Sequence, residues 1–126
     1  RDRRRGLFVM VGNVMLKRDI LRRKEDFDLI YKKGRSVGER YIVLFYMKNG
    51  LSYNRIAFLA SKKLGISVIR NRAKWLMKEC FRFLKDDIGN GYDIIFIARN
   101  TINGKKLRDV EKSMVNSLSK SKLYQR

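Results

Sequence analysis

A chain of 126 residues with 31 lysines and arginines against 12 aspartates and glutamates carries a formal charge of +19, and self-repulsion of that size is relieved beside something anionic, nucleic acid first among the candidates. With no histidine and one cysteine, Cys80, the chain excludes an internal disulfide, a Cys/His zinc site, a Ser/His/Asp triad and a Cys/His pair. Its length suits one domain with a single core, and its 44% hydrophobic content is that of a globular protein.

The opening stretch, RDRRRGLFVMVGNVML, has the basic front and apolar middle of a signal peptide, but Gly12 and Asn13 interrupt the apolar part and no small-residue cleavage site follows. It is also too short to span a bilayer. Residues 1–15 read as a flexible N-terminal extension, a cloning remnant or the product of an early start codon, with Met15 an alternative start. From Lys24 to Lys33, Phe27, Ile30 and Tyr31 follow three- and four-residue steps and Gly34 stands as a stop, which predicts a short helix. YIVLFYM (41–47) and RIAFLAS (55–61) predict two strands joined by a turn at Asn49-Gly50, with a shorter edge segment over Arg35 to Arg40 before them.

Residues 68–86 predict a second helix, stopped by Gly89-Asn90-Gly91. The nearly continuous apolar run YDIIFIA (92–98) predicts a central strand with both faces covered. Leu107, Val110, Met114 and Leu118 then recur at helical spacing, giving a third helix over Lys105 to Ser119. With the edge segment counted as a strand, the order is α-β-β-β-α-β-α, an α+β domain with helices layered on a small sheet.

The second helix carries the strongest signal. On a helical wheel Ile69, Ala73, Leu76, Met77, Cys80, Phe83 and Leu84 share one arc and predict its core face, with Cys80 a small core residue of a reducing cytoplasm. The opposite arc holds Arg70, Asn71, Lys74, Lys78, Arg82 and Lys85, with Arg72 and Glu79 at a border and Lys62-Lys63 just upstream. An ordinary solvated helix mixes acids with its bases; this face has almost none, which points to phosphate binding. Trp75 and, less clearly, Phe81 project from the polar side, where partial burial against a loop is as much expected as stacking on a base.

Read as ASKKLGISVIRNRAKWLMKECF, residues 60–81 resemble the signature of the bacterial ribonuclease P protein subunit, in which a strand ending in a Ser-Lys-Lys-like run leads through a glycine loop into an Arg-Asn-Arg-x-Lys helix. The likeness extends through LRRKEDFDLIYKKGRSV (21–37), YDIIFIAR (92–99) and SLSKSKLY (117–124), so that residues 16–126 read as one RNA-binding domain of that kind. The resemblance implies a four-stranded sheet with three helices and an unusual left-handed crossover from the third strand to the fourth. It implies an endoribonuclease subunit that binds a large catalytic RNA and the 5′ leader of precursor tRNA, so that the leader is removed and the mature 5′ end produced.

Carried over by position, Arg70, Asn71, Arg72, Lys74 and Lys78 face the catalytic RNA, and Lys62, Lys63 and Arg82 of the basic stripe complete that set. Arg23, Phe27, Tyr31, Val43 and Phe45 match the cleft that takes the single-stranded leader. As core aromatics Phe27 and Tyr31 would be covered; as a leader platform they need to be partly open. Trp75 departs from the family, which usually has a basic residue there, as do Ile66 and Ser67, which replace Asn and Ala.

No catalytic residue and no metal site is assigned to the protein itself. The acids Glu25, Asp26 and Asp28, and Asp86 with Asp87, sit at helix ends where capping or solvation accounts for them. The resemblance implies magnesium ions held by the catalytic RNA, a cytoplasmic location, no membrane and no obligate protein partner. A ribosomal or other RNA-scaffold protein fits the size and charge equally well, and leader-dependent binding separates the two. A stand-alone nuclease is disfavoured by the missing histidine, and a helix-turn-helix DNA reader by the lack of a partner helix just before the basic one.

Overall fold

A computed structural model describes residues 17–125; the N-terminal extension read over residues 1–15 lies outside them. Helix α1 (Lys24–Lys33) leads into β1 (Arg35–Gly38), β2 (Ile42–Lys48), β3 (Arg55–Leu59), α2 (Ser67–Leu84), β4 (Tyr92–Ala98) and α3 (Leu107–Lys120). Glu25 and Asp26 in the first turn of α1 and Lys32 and Lys33 in its last suit the helix dipole. Gly34 ends it, its N–H donating to the Ile30 carbonyl at 2.8 Å. A Cβ there would lie 2.5 Å from that oxygen and 2.8 Å from the carbonyl of Tyr46, so only glycine lets α1 turn this tightly against β2.

The four strands are ordered β1-β2-β4-β3. β1 and β2 pair antiparallel, as do β2 and β4, whereas β3 lies parallel to β4, the chain crossing from one to the other through α2. The turn expected at Asn49-Gly50 is present, with Gly50 at φ +74°, but the strands it joins do not pair with each other. β4 is inserted between them. The Asn49 side-chain amide donates to Asp93 of β4 at 2.9 Å and to the Tyr53 carbonyl at 3.3 Å, tying the turn to the inserted strand. The strand expected over 55–61 stops at Leu59, because Lys62–Leu64 winds into a 3₁₀ turn, and a second such turn over Lys85–Asp87 finishes α2.

One sheet face packs on α2 and α3. Ile42, Leu44, Ile56, Phe58, Ile94 and Phe96 meet Leu76, Met77, Cys80, Phe81, Leu84, Val110, Met114 and Leu118 there. At its centre Phe58 stacks on Phe96, centroids 6.0 Å apart, and Phe81 meets both edge-on at 5.6 and 6.2 Å. The expected inner arc of α2 is corrected at its margins by this cluster: Phe81 is buried, while Phe83 is 64% exposed and Ile69 40%. The two phenylalanines sit at opposite borders of the arc, and only the Phe81 side meets the aromatic pair.

Cys80 is 1% exposed, and burial, helped by the negative field of Glu111 and Glu79, pushes its thiol up to about 12. At pH 8 the folded chain is expected to leave a thiol-specific reagent unreacted while the urea-unfolded chain reacts fully. Equal rates would place Cys80 outside the core. Because the raised value favours the protonated thiol, this contribution to folding is present below the ordinary thiol value of 9.0 and is lost as pH rises toward about 12.

Candidate RNA interface

The second sheet face is only partly covered. Alternation along the strands and their register place three rows of side chains on it: Val43–Ile97–Leu59, Phe45–Ile95–Ala57 and Met47–Asp93–Arg55. Ile30 of α1 and Leu21 seal Ile95 and Ala57, while Phe27, Phe45, Met47, Leu59 and Ile97 remain partly open around them. Tyr31 meets Phe45 edge-on at 5.1 Å and lies 6.5 Å from Phe27. It is 41% exposed, and the burial it does have raises its phenol above the ordinary value.

The last row anchors α1. Arg55 donates to both oxygens of Asp93, at 2.8 and 2.7 Å, and lies 3.4 Å from Asp26 of α1. The bond to Asp93 is the main cause that raises the Arg55 guanidinium above its ordinary value. Asp26 is thus more than a helix-end charge: it holds its helix against the sheet. Among the described residues no three of Asp, Glu, Cys or His converge to hold a metal ion, and two of the carboxylates already share a guanidinium.

A cavity of about 430 Å³ opens beside α1, lined by Ile20, Leu21, Phe27, Ala57 and Leu59 and walled by Lys74 and Lys78 of α2. Its outer rim is the segment before α1, joined to the edge strand by a β-bridge from Ile20 to Ile56 and by the Leu21 N–H donating to the Ile56 carbonyl at 2.9 Å. Phe27, Tyr31, Val43 and Phe45 therefore share one face, all of them partly or largely open. Of these four only Phe27 lines the cavity; Tyr31, Val43 and Phe45 lie beside it on the open sheet face, and Arg23 stands exposed at the N-terminal end of α1, 3.8 Å from Glu25.

The basic set divides by position on α2. Lys74 and Lys78 border the cavity. Arg70 folds back on the helix entrance, donating to the Gly65 carbonyl and the Ser67 hydroxyl, both at 3.2 Å. Arg72 turns to the other flank, donating to the Lys105 carbonyl at 3.1 Å. Asn71 is exposed, as are Lys62 and Lys63 on the 3₁₀ turn, and Arg82 pairs with Glu79 at 3.1 Å.

The apolar lining from Ile20, Leu21, Ala57 and Leu59 was not singled out from the sequence, although the alternation in RIAFL already places Ala57 and Leu59 on one face and Ile56 and Phe58 on the other. Arg99 is a further basic residue on this side. It continues the alternation of Ile95 and Ile97 and donates to the Glu39 carbonyl at 3.2 Å, beside Gly38.

The family model described as Ribonuclease P matches residues 15–122. A Clostridium botulinum protein named Ribonuclease P protein component is 40% identical over 110 residues, which cover 86% of this chain and 99% of that one. The structure of the Staphylococcus aureus RNase P protein superposes with a TM-score of 0.77 at 33% identity, covering 84% of this chain and 97% of the other. The RNase P protein from Thermotoga maritima gives 0.70 at 33% identity, over 76% and 91%. A match that spans nearly all the described residues, with the same sheet and helices in solved relatives, means that the chain belongs to the ribonuclease P family.

Proposed function

We propose that this chain is the protein component of a ribonuclease P ribonucleoprotein, holding the catalytic RNA on α2 and the 5′ leader of precursor tRNA in the cleft under α1. The observation that carries this reading is the shared cavity: an apolar floor with Phe27 at its edge, walled by Lys74 and Lys78. Unpaired bases pack on such a floor while their phosphates meet the lysines, and the same lysines stand on the helix that faces the larger RNA. Magnesium ions held by that RNA supply the activation of the attacking water. The protein's own residues bind, position and neutralise charge. On this reading it works in the cytoplasm, beside RNA partners and without an obligate protein partner.

Cleavage of a precursor tRNA at low magnesium by a bacterial ribonuclease P RNA, with and without the protein and with protein alone, tests the proposal. Stimulation only when both are present supports it; tight RNA binding without stimulation favours an RNA-scaffold protein. Within the cleft, Phe27→Ala is expected to weaken binding of leader-bearing precursors by about 5- to 100-fold, the range for removing one aromatic ring from a base, while affinity for mature tRNA is unchanged. Equal losses on both ligands would make Phe27 a packing residue.

A further inference from the structure

Trp75 is the only tryptophan of the chain and is 53% exposed. Residues three and four positions away are its neighbours on the helix surface: Asn71, Arg72, Lys78 and Glu79. Asn71, Arg72 and Lys78 are exposed, and Arg72 uses one guanidinium N–H on the Lys105 carbonyl, leaving others for a ligand. Glu79, the one acid of the group, is already paired with Arg82. The indole is therefore a bare aromatic surface framed by cations and an amide, with the neighbouring negative charge neutralised. A solvated helix gains nothing from a large apolar ring at this place.

We propose that the Trp75 ring stacks on one unpaired nucleobase of the RNA held by α2, with the phosphates flanking that nucleotide on Arg72 and Lys78. The inference rests on the RNA-binding reading above and adds a base contact to a helix otherwise suited to phosphates. Stacking accepts any base, because every base has a π face, so this contact favours an unpaired nucleotide over a duplex and shows little sequence preference. The net charge of +19 argues for this occupant over a second copy of the chain, which would bring its own positive charge to the same face.

The single tryptophan makes the stack directly measurable. Titration of the full chain with a bacterial ribonuclease P RNA is expected to quench Trp75 fluorescence to a one-to-one end point, whereas inorganic polyphosphate, a polyanion without bases, binds with little quenching. Trp75→Ala is expected to lose about 5- to 100-fold in RNA affinity with an unchanged salt slope, and Trp75→Phe to keep most of it. Filter binding of the wild-type chain, read independently of fluorescence, separates failure of RNA binding altogether from failure of this stack. Salt-dependent RNA binding with no quenching and no loss in Trp75→Ala would overturn the stacking proposal alone. So would equal quenching by polyphosphate, or a dimer in RNA-free sedimentation that Trp75→Ala abolishes.

Discussion

Arg55→Ala is expected to destabilise the fold by about 3–5 kcal/mol, the cost of leaving one member of a buried ion pair without its partner. Asp93 is 2% exposed in the sheet, and both its oxygens accept hydrogen bonds from Arg55. Asn49 still donates to one of them, so some compensation survives. The replacement also frees Asp26, and with it the hold on α1, so amide protection in that helix should fall further than in β2 or β4. Replacing both partners by apolar residues, Arg55→Met with Asp93→Leu, should recover most of the loss, because the penalty comes from the stranded charge. Urea unfolding of the wild type and both variants decides the matter. A loss of under about 1 kcal/mol in Arg55→Ala would class the pair with ordinary surface ion pairs.

Neutralising Arg70, Lys74 and Lys78 together, each to Gln, is expected to weaken RNA binding most at low salt and to flatten its salt dependence. Each phosphate that the protein no longer neutralises takes roughly 0.7–0.9 from the slope of log affinity against log salt, so the two lysines beside the cavity alone should remove about 1.5. Arg70 adds less if its guanidinium stays on the Gly65 carbonyl and the Ser67 hydroxyl. Affinity is best measured across several salt concentrations, since a single value does not distinguish missing phosphate neutralisation from a disturbed fold. An unchanged slope would remove α2 as the RNA surface.

Much of this was legible from local pattern. The bounds of α1 and β4 follow from periodicity and flanking glycines, and the basic character of α2 follows from composition along one arc. What local pattern does not carry is partnership. Asn49-Gly50 marks a turn, yet nothing near it says that a strand more than forty residues later will separate the two it joins; that depends on Asp93 meeting Arg55 and Asn49. Phe81 and Phe83 are equally apolar and equally close to the edge of the helical arc, and the choice between them is made by Phe58 and Phe96. The cleft floor needs the register of three strands before Val43, Ile97 and Leu59 become one row. The leader role of the aromatic cleft residues and the assignment of the basic stripe to a catalytic RNA came from resemblance, and Ala57 and Leu59, small or ordinary by themselves, had no such signal.

Insertion of the last strand into the middle of the sheet also shapes how the protein is made. While a ribosome works through β1, β2 and β3, the first two can pair, but β3 waits with the edge that will meet β4 open, held on its other edge by the short bridge from Ile20 to Ile56. The sheet cannot close until residue 98 has left the exit tunnel, by which time the whole of the cationic helix has been made too. Long-range closure of this kind is slow compared with hairpin formation and leaves apolar strand surface uncovered for longer. A chain of this charge emerges beside ribosomal RNA, so its nascent form meets a large polyanion before its own central strand is in place.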